Sequence, residues 1–196
     1  MMDACFDERF SGVITTELEL RDIVGHPNRW TIAKVRSRLD ADCVRFIHRS
    51  PFLVLASAGT SGQLDLSPKG DAAGFVQVID QNTLAFPDRS GNRRIDSFRN
   101  ILQNPNVGLI FFVPGETDTL RAAGKAMIVR DPALRQSMAF DGRIPELATV
   151  IRVERAYLHC GKCIVRSKLW DRDGDEDVRT PRNGWQRVLG RKRVSR

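Results

Sequence analysis

The chain has 196 residues, 41% hydrophobic and 28% charged, which suits one globular domain with a sizeable core and some appendage. No apolar run approaches the about 20 residues that span a bilayer, and the N-terminus has no basic stretch followed by an apolar one, so a cytoplasmic protein without membrane contact is expected. Net charge is +7, of which residues 171–196 contribute +3 (eight Lys/Arg against five acids), leaving +4 for the body; the body's surplus suits an anionic ligand, the tail's suits solvation or contact with nucleic acid.

Residues 1–15 show no strong periodicity. Thr16-Glu17-Leu18-Glu19 is a capping-box pattern opening a short helix that Gly25 ends. Pro27-Asn28 leads into a second helix, from about Trp30 to Leu39. A third is expected over Asp40 to His48, with Cys43, Phe46 and Ile47 at helical spacing. All three should pack outside a sheet.

From Ser50 the period changes to that of strands. Phe52 to Ser57 reads as a strand, Gly59-Thr60-Ser61-Gly62 as a turn, and Gln63 to Ser67 as the returning strand, which Pro68-Lys69-Gly70-Asp71 breaks. Phe75 to Ile79 and Thr83 to Phe86 form a second pair around Asp80-Gln81-Asn82. Val107 to Val113, a Pro114-Gly115 turn and Asp118 to Val129 form a third. Asp131-Pro132 starts a helix reaching about Phe140, and Leu147 to His159 is the last long strand. This succession of antiparallel strands favours a small barrel, while the absence of βαβ alternation and of Gly-x-Gly-x-x-Gly excludes a doubly wound dinucleotide fold.

The most informative stretch is Pro87-Asp88-Arg89-Ser90-Gly91-Asn92-Arg93-Arg94, between a strand and a helix on which Ile95, Phe98, Ile101 and Leu102 share a face. With Asn92 as its cap, that helix brings Arg89, Arg93 and Arg94 to an N-terminus whose free N–H groups favour an anion such as phosphate. Three cations there repel one another and oppose the helix dipole, so a negative group is expected among them. Asp88 and Asp96 are read as orienting Arg89 or capping local N–H groups.

Of four cysteines, Cys160 and Cys163 form a Cys-x-x-Cys beside His159. A structural zinc site needs a second ligand pair, and a redox motif of this spacing usually opens a helix in a βαβ unit. Small buried residues near a strand end are the preferred reading.

Taken together, these segments resemble the FMN-binding split barrels of the pyridoxamine 5'-phosphate oxidase-like family, in particular a bacterial subgroup of about this length. The matching pieces are Ser50-Pro51-Phe52-Leu53-Val54-Leu55-Ala56, Ser67-Pro68-Lys69-Gly70-Asp71, Pro87 to Ile101, Thr119-Leu120-Arg121 with Gly124-Lys125-Ala126, and His159-Cys160-x-Lys162 with Arg166-Ser167-x-Leu169-Trp170. The match runs in order from about Thr16 to Trp170.

The resemblance implies a mainly β protein: a six-stranded antiparallel split β-barrel with peripheral helices, dimerising with FMN at the subunit interface. It further implies a helical extension over 1–39, the barrel over 40–170 and a charged flexible tail over 171–196. Asn92, Arg93 and Arg94 match the family's phosphate-holding cluster, Lys69 its preceding basic residue, and Thr119 a polar residue near the flavin. Arg166, Ser167 and Trp170 match residues that close the site from the second subunit. With Ser67, Gly70, Asp88 and Arg89, these twelve are the candidate cofactor-binding residues; no catalytic residue and no metal ligand is assigned. Each has a plainer alternative: Lys69 at the surface, Thr119 in an ordinary strand, Trp170 as a core anchor.

The implied activity is an FMN-dependent oxidoreductase acting on a small molecule. The C-terminal Arg-x-His grip of true pyridoxamine phosphate oxidases has no counterpart in Asp171 to Arg182, which argues against vitamin B6 oxidation. The alternatives are the same barrel with a deazaflavin or haem, and a non-catalytic flavin-binding protein whose basic tail touches nucleic acid. One aromatic residue in that tail and no helix-turn-helix argue against nucleic acid as a sequence-specific partner.

Overall fold

The computed structural model describes residues 9–171. The readings of the first eight residues and of the basic tail from Arg172 onward fall outside the described residues.

Seven strands make one sheet: β1 (Phe52–Ala58), β2 (Leu64–Gly70), β3 (Gln77–Asp80), β4 (Thr83–Pro87), β5 (Asn106–Phe112), β6 (Thr119–Val129) and β7 (Ala148–His159). Their order is β2-β1-β5-β6-β7-β4-β3, and every pairing is antiparallel. The class is the expected one, mainly β with helices at the periphery. The count is one strand above the expected six, and the outermost strands β2 and β3 do not pair, so the barrel stays open.

Alternation sets the inner face. Leu53, Leu55 and Ser57 of β1, and Val107, Leu109 and Phe111 of β5, point inward and are buried. They join Leu84, Phe86, Leu120, Ile151 and Val153 in one core. On β6 the register shifts between Ala123 and Gly124. A side chain at Gly124 would meet the Arg152 carbonyl oxygen at 2.0 Å, so only glycine allows the long β6–β7 pair to stay together there.

Among the described residues, six helices surround the sheet: α1 (Glu17–Val24), α2 (Arg29–Ala33), α3 (Ala41–Arg49), α4 (Asp96–Gln103), α5 (Pro132–Ser137) and α6 (Lys162–Ser167). The capping box of α1 forms as read: the Glu19 N–H donates to Thr16 Oγ1 (3.2 Å), and the Thr16 N–H donates to Glu19 Oε2 (3.2 Å). Asp40 caps α3 through the Cys43 N–H (2.9 Å), and Cys43, Phe46 and Ile47 close the sheet from outside. By contrast α1 and α2 bury no residue.

Three expected helices end or begin elsewhere. The second stops at Ala33 instead of Leu39, because Arg36 exchanges both backbone hydrogen bonds with Ala156 of β7 (3.0 and 2.8 Å), and strand pairing there displaces helix. α5 stops at Ser137 instead of reaching Phe140. Asp141 and Gly142, both at positive φ, turn the chain so that Phe140 and Arg143 bridge. α4 begins at Asp96, and its preceding residue Ile95 adopts a left-handed conformation (φ 54°, ψ 21°) with no side-chain cap. Asn92 therefore does not cap it; its Oδ1 accepts the Arg94 N–H (3.0 Å) in a local turn. Ile95 and Leu102 stay exposed while Ser97 and Ile101 carry the buried face.

Candidate functional site

The ends of β2 and β4 approach one another across the open side of the barrel. Between them lies a cleft of about 330 Å³, lined by Ser67, Pro68, Lys69 and Gly70 from β2, by Phe75, and by residues 87 to 92 that follow β4. The sheet brings these two segments together because the strands between β2 and β4 wrap around one core. Gly70 and Gly91 add no side chain to the lining, and Pro68 and Pro87 add short, rigid ones.

Arg89 ties the segment after β4 to the end of β2. Its Nε donates to Asp71 Oδ2 at 2.5 Å, its Nη1 donates to the Met138 carbonyl at 3.0 Å, and its guanidinium lies 5.6 Å from the Phe140 ring centroid. Asp71, not Asp88 or Asp96, is thus the carboxylate that orients Arg89. Asp88 lines the cleft instead. Burial raises its pKa, against the opposing pull of Lys69. Its backbone N–H donates to the Leu147 carbonyl (2.9 Å), fixing the loop where it leaves the sheet. At the loop's far end α4 is anchored to the β1–β2 hairpin: Ser97 Oγ donates to Asp65 Oδ2 (2.7 Å) and Asn100 Nδ2 to Ser57 Oγ (3.2 Å).

The cleft gathers six of the twelve candidate residues: Ser67, Lys69, Gly70, Asp88, Arg89 and Asn92. Arg93 and Arg94 follow directly but stand exposed beyond its lining, Arg93 at φ 61°. Arg94 is neutralised locally, its Nε donating to Asp96 Oδ2 at 2.7 Å. The charge conflict expected among three arginines is therefore relieved within the chain for two of them, by Asp71 and Asp96.

The other four candidates lie elsewhere. Thr119 is buried at the start of β6, paired with His159 at the end of β7. Arg166 and Ser167 end α6 and are exposed, with Ser167 Oγ donating to the Ile164 carbonyl (3.1 Å). The indole N–H of Trp170 donates to the Glu116 carbonyl (2.7 Å), which holds the end of this segment on the turn between β5 and β6. Cys160 and Cys163 are exposed, contrary to the buried placement expected for them; among the described residues Cys43 is the buried cysteine. None of the three histidines lines the cleft.

The sequence reading missed the roles of Asp71, Phe75 and Phe140. Asp71 carried a signal, since it ends the Ser-Pro-Lys-Gly-Asp segment already singled out. Its pairing with Arg89 joins two strand ends that are not neighbours in the sheet, which no local pattern encodes.

Comparison with known proteins bears on this geometry. A family model described as pyridoxamine 5'-phosphate oxidase matches residues 39–160, more than half of the chain. Among solved structures, HupZ of Group A Streptococcus is similar at 20% identity, covering 61% of this chain and 93% of that one, with a TM-score of 0.50. A putative pyridoxamine 5'-phosphate oxidase from Lactobacillus delbrueckii is similar at 18% identity, covering 62% and 95%, with a TM-score of 0.49. No curated protein matches the chain. With its core strands and cleft both inside the matched range, the chain belongs to the pyridoxamine 5'-phosphate oxidase family.

Proposed function

We propose that the chain is an FMN-binding oxidoreductase acting on a small molecule, with the flavin's phosphate held at the cleft between β2 and β4. One observation carries the reading: two segments remote in sequence, Ser67–Gly70 and residues 87–92, converge on a single glycine- and proline-walled cleft that carries Lys69. The donor set suits a phosphorylated, planar ligand. Lys69 offers a point charge, Asn92 an amide, and the Gly70 and Gly91 backbones allow close approach. At about 330 Å³ the cleft is near the lower end of the roughly 300–1,000 Å³ usual for such sites, so it covers one side of a ligand rather than enclosing it.

The remaining cover comes, in this reading, from a second copy of the chain. Arg166, Ser167 and Trp170 form the complementary half, and Arg93 and Arg94 face it from the rim. FMN would supply the hydride or electron transfer. The chain's own part is to fix the phosphate through Lys69, to keep Arg89 in place through Asp71, and to shed water from the apolar walls of Phe75, Pro68 and Pro87. No side chain in the cleft is assigned an acid–base step.

The test is the absorption spectrum of the purified protein, followed by FMN titration. Bound FMN and a loss of affinity of about ten- to a hundredfold on Lys69→Ala are expected, the scale of one charge-assisted hydrogen bond. A colourless protein that ignores added FMN ends the proposal. Parallel titrations with a deazaflavin and with haem separate the phosphate-bearing alternative from one that needs an axial ligand, for which no histidine stands at the cleft.

A further inference from the structure

The proposed function leaves Cys160 and Cys163 unused, and their surroundings are unusually constrained. Both are free and exposed, whereas Cys43 is buried. They flank the point where β7 gives way to α6, at positions i and i+3 of one turn, with Gly161 between them at φ −82° and ψ 22°. A disulfide spans Cα separations of roughly 4.4–6.8 Å, and the chain between the two cysteines is turned rather than extended, Gly161 leading directly into the first residue of α6. The turn is held from both sides. A Cβ on Gly161 would sit 1.5 Å from the Thr117 carbonyl oxygen, so this glycine lies directly against the β5–β6 turn. At the other end of the segment the Trp170 indole is bonded to Glu116. Among the described residues no third His, Cys, Asp or Glu joins the pair in a cluster able to hold a metal ion.

We propose that Cys160 and Cys163 form a reversible dithiol–disulfide pair that exchanges with low-molecular-weight disulfides. In the first step one cysteine gives its proton to solvent and its sulfur attacks a sulfur of the small disulfide. The S–S bond of the reagent breaks, one thiolate leaves and takes up a proton, and a mixed disulfide remains on the protein. In the second step the other cysteine loses its proton and attacks the protein sulfur of that mixed disulfide. The second small thiol departs and takes up a proton. The pair is oxidised by two electrons and the reagent is reduced to two thiols. Because the pair is clamped to the turn that leads into Thr119, closing the disulfide stiffens the segment from Glu116 to Thr119. This inference does not depend on which cofactor the cleft holds.

The experiment treats the full-length protein with oxidised glutathione, quenches with acid, denatures, blocks free thiols and digests with trypsin. Cleavage after Lys162 separates Cys160 (peptide 156–162) from Cys163 (peptide 163–166). The expected product is these two peptides joined, lighter by two hydrogens than their sum, and separated again by dithiothreitol. Cys163→Ser and Cys160→Ser should each stop at a glutathione adduct on the remaining cysteine. Amide exchange of Glu116 to Thr119 should slow in the oxidised wild type and not in either variant. Two unlinked peptides in the wild type, whether blocked or each carrying glutathione, would overturn the proposal, as would linkage of either cysteine mainly to Cys5 or to a second chain. The residues are exposed, so the variants keep the fold, and circular dichroism checks this.

Discussion

Among the described residues, Asp88 is the one carboxylate lining the cleft, next to the lysine that the proposed function assigns to a phosphate. Burial raises its pKa and Lys69 only partly offsets this. The folded chain therefore binds the Asp88 proton more tightly than the unfolded chain does. Its contribution favours the fold at low pH and is lost as pH rises from the ordinary carboxylate range through the raised value. Asp88→Asn removes that dependence. The variant should melt higher than wild type in neutral buffer, with the difference closing in acid, as paired thermal melts would show. If an anion occupies the cleft, the same substitution also removes a repelling charge, so FMN should bind more tightly. Cys43 is a residue-scale contrast to the exposed pair: burial pushes its thiol up to about 11, which makes it inert to disulfides.

Helices with similar sequence signals differ sharply in what they contribute. α3 has a carboxylate cap and three buried side chains, so Phe46→Ala should cost about 3–5 kcal/mol in chemical denaturation. α1 has a complete capping box and buries nothing, and Leu18 is 73% exposed. Leu18→Ala should shift stability by less than about 0.5 kcal/mol. The cap of α1 was legible in the Thr16–Glu19 pattern, whereas Asp40, expected inside the third helix, instead caps it through the Cys43 N–H. Asn92 has the right chemistry for the same role, but its oxygen is taken by the Arg94 N–H two residues on. A competing local turn of that kind leaves no trace in residue type. Arg36 likewise falls within the expected second helix until a strand from the other end of the chain pairs with it. Such a partner is invisible to any window of sequence.

At the scale of the molecule, three hairpins could be read from turn residues: β1–β2, β3–β4 and β5–β6. The β1–β5 and β4–β7 pairings that curl them into an open barrel join segments far apart in sequence. No spacing announces them; the family resemblance implied a split barrel as a whole and none of these pairings. The same holds for the cleft, whose two walls meet because of those pairings. The split of the candidate residues between the cleft and the region of Thr119 and Trp170 makes a prediction under the proposed function. The protein should sediment as a dimer, and dilution to monomer should release FMN with it. Sedimentation velocity read at a flavin wavelength checks both at once. A monomer that retains flavin would show that one chain suffices.

Pro68 lies within β2, opposite Val54, on a strand with a hydrogen-bonded neighbour on one side only. A strand in that position ordinarily invites further strands to add on and propagate into fibres. Proline has no amide hydrogen to offer, and it is tolerated in a sheet where the missing donor faces outward. The rim beside Lys69 is thereby a poor template for polymerisation. One residue keeps this border closed to an added strand while leaving the cleft beside it accessible.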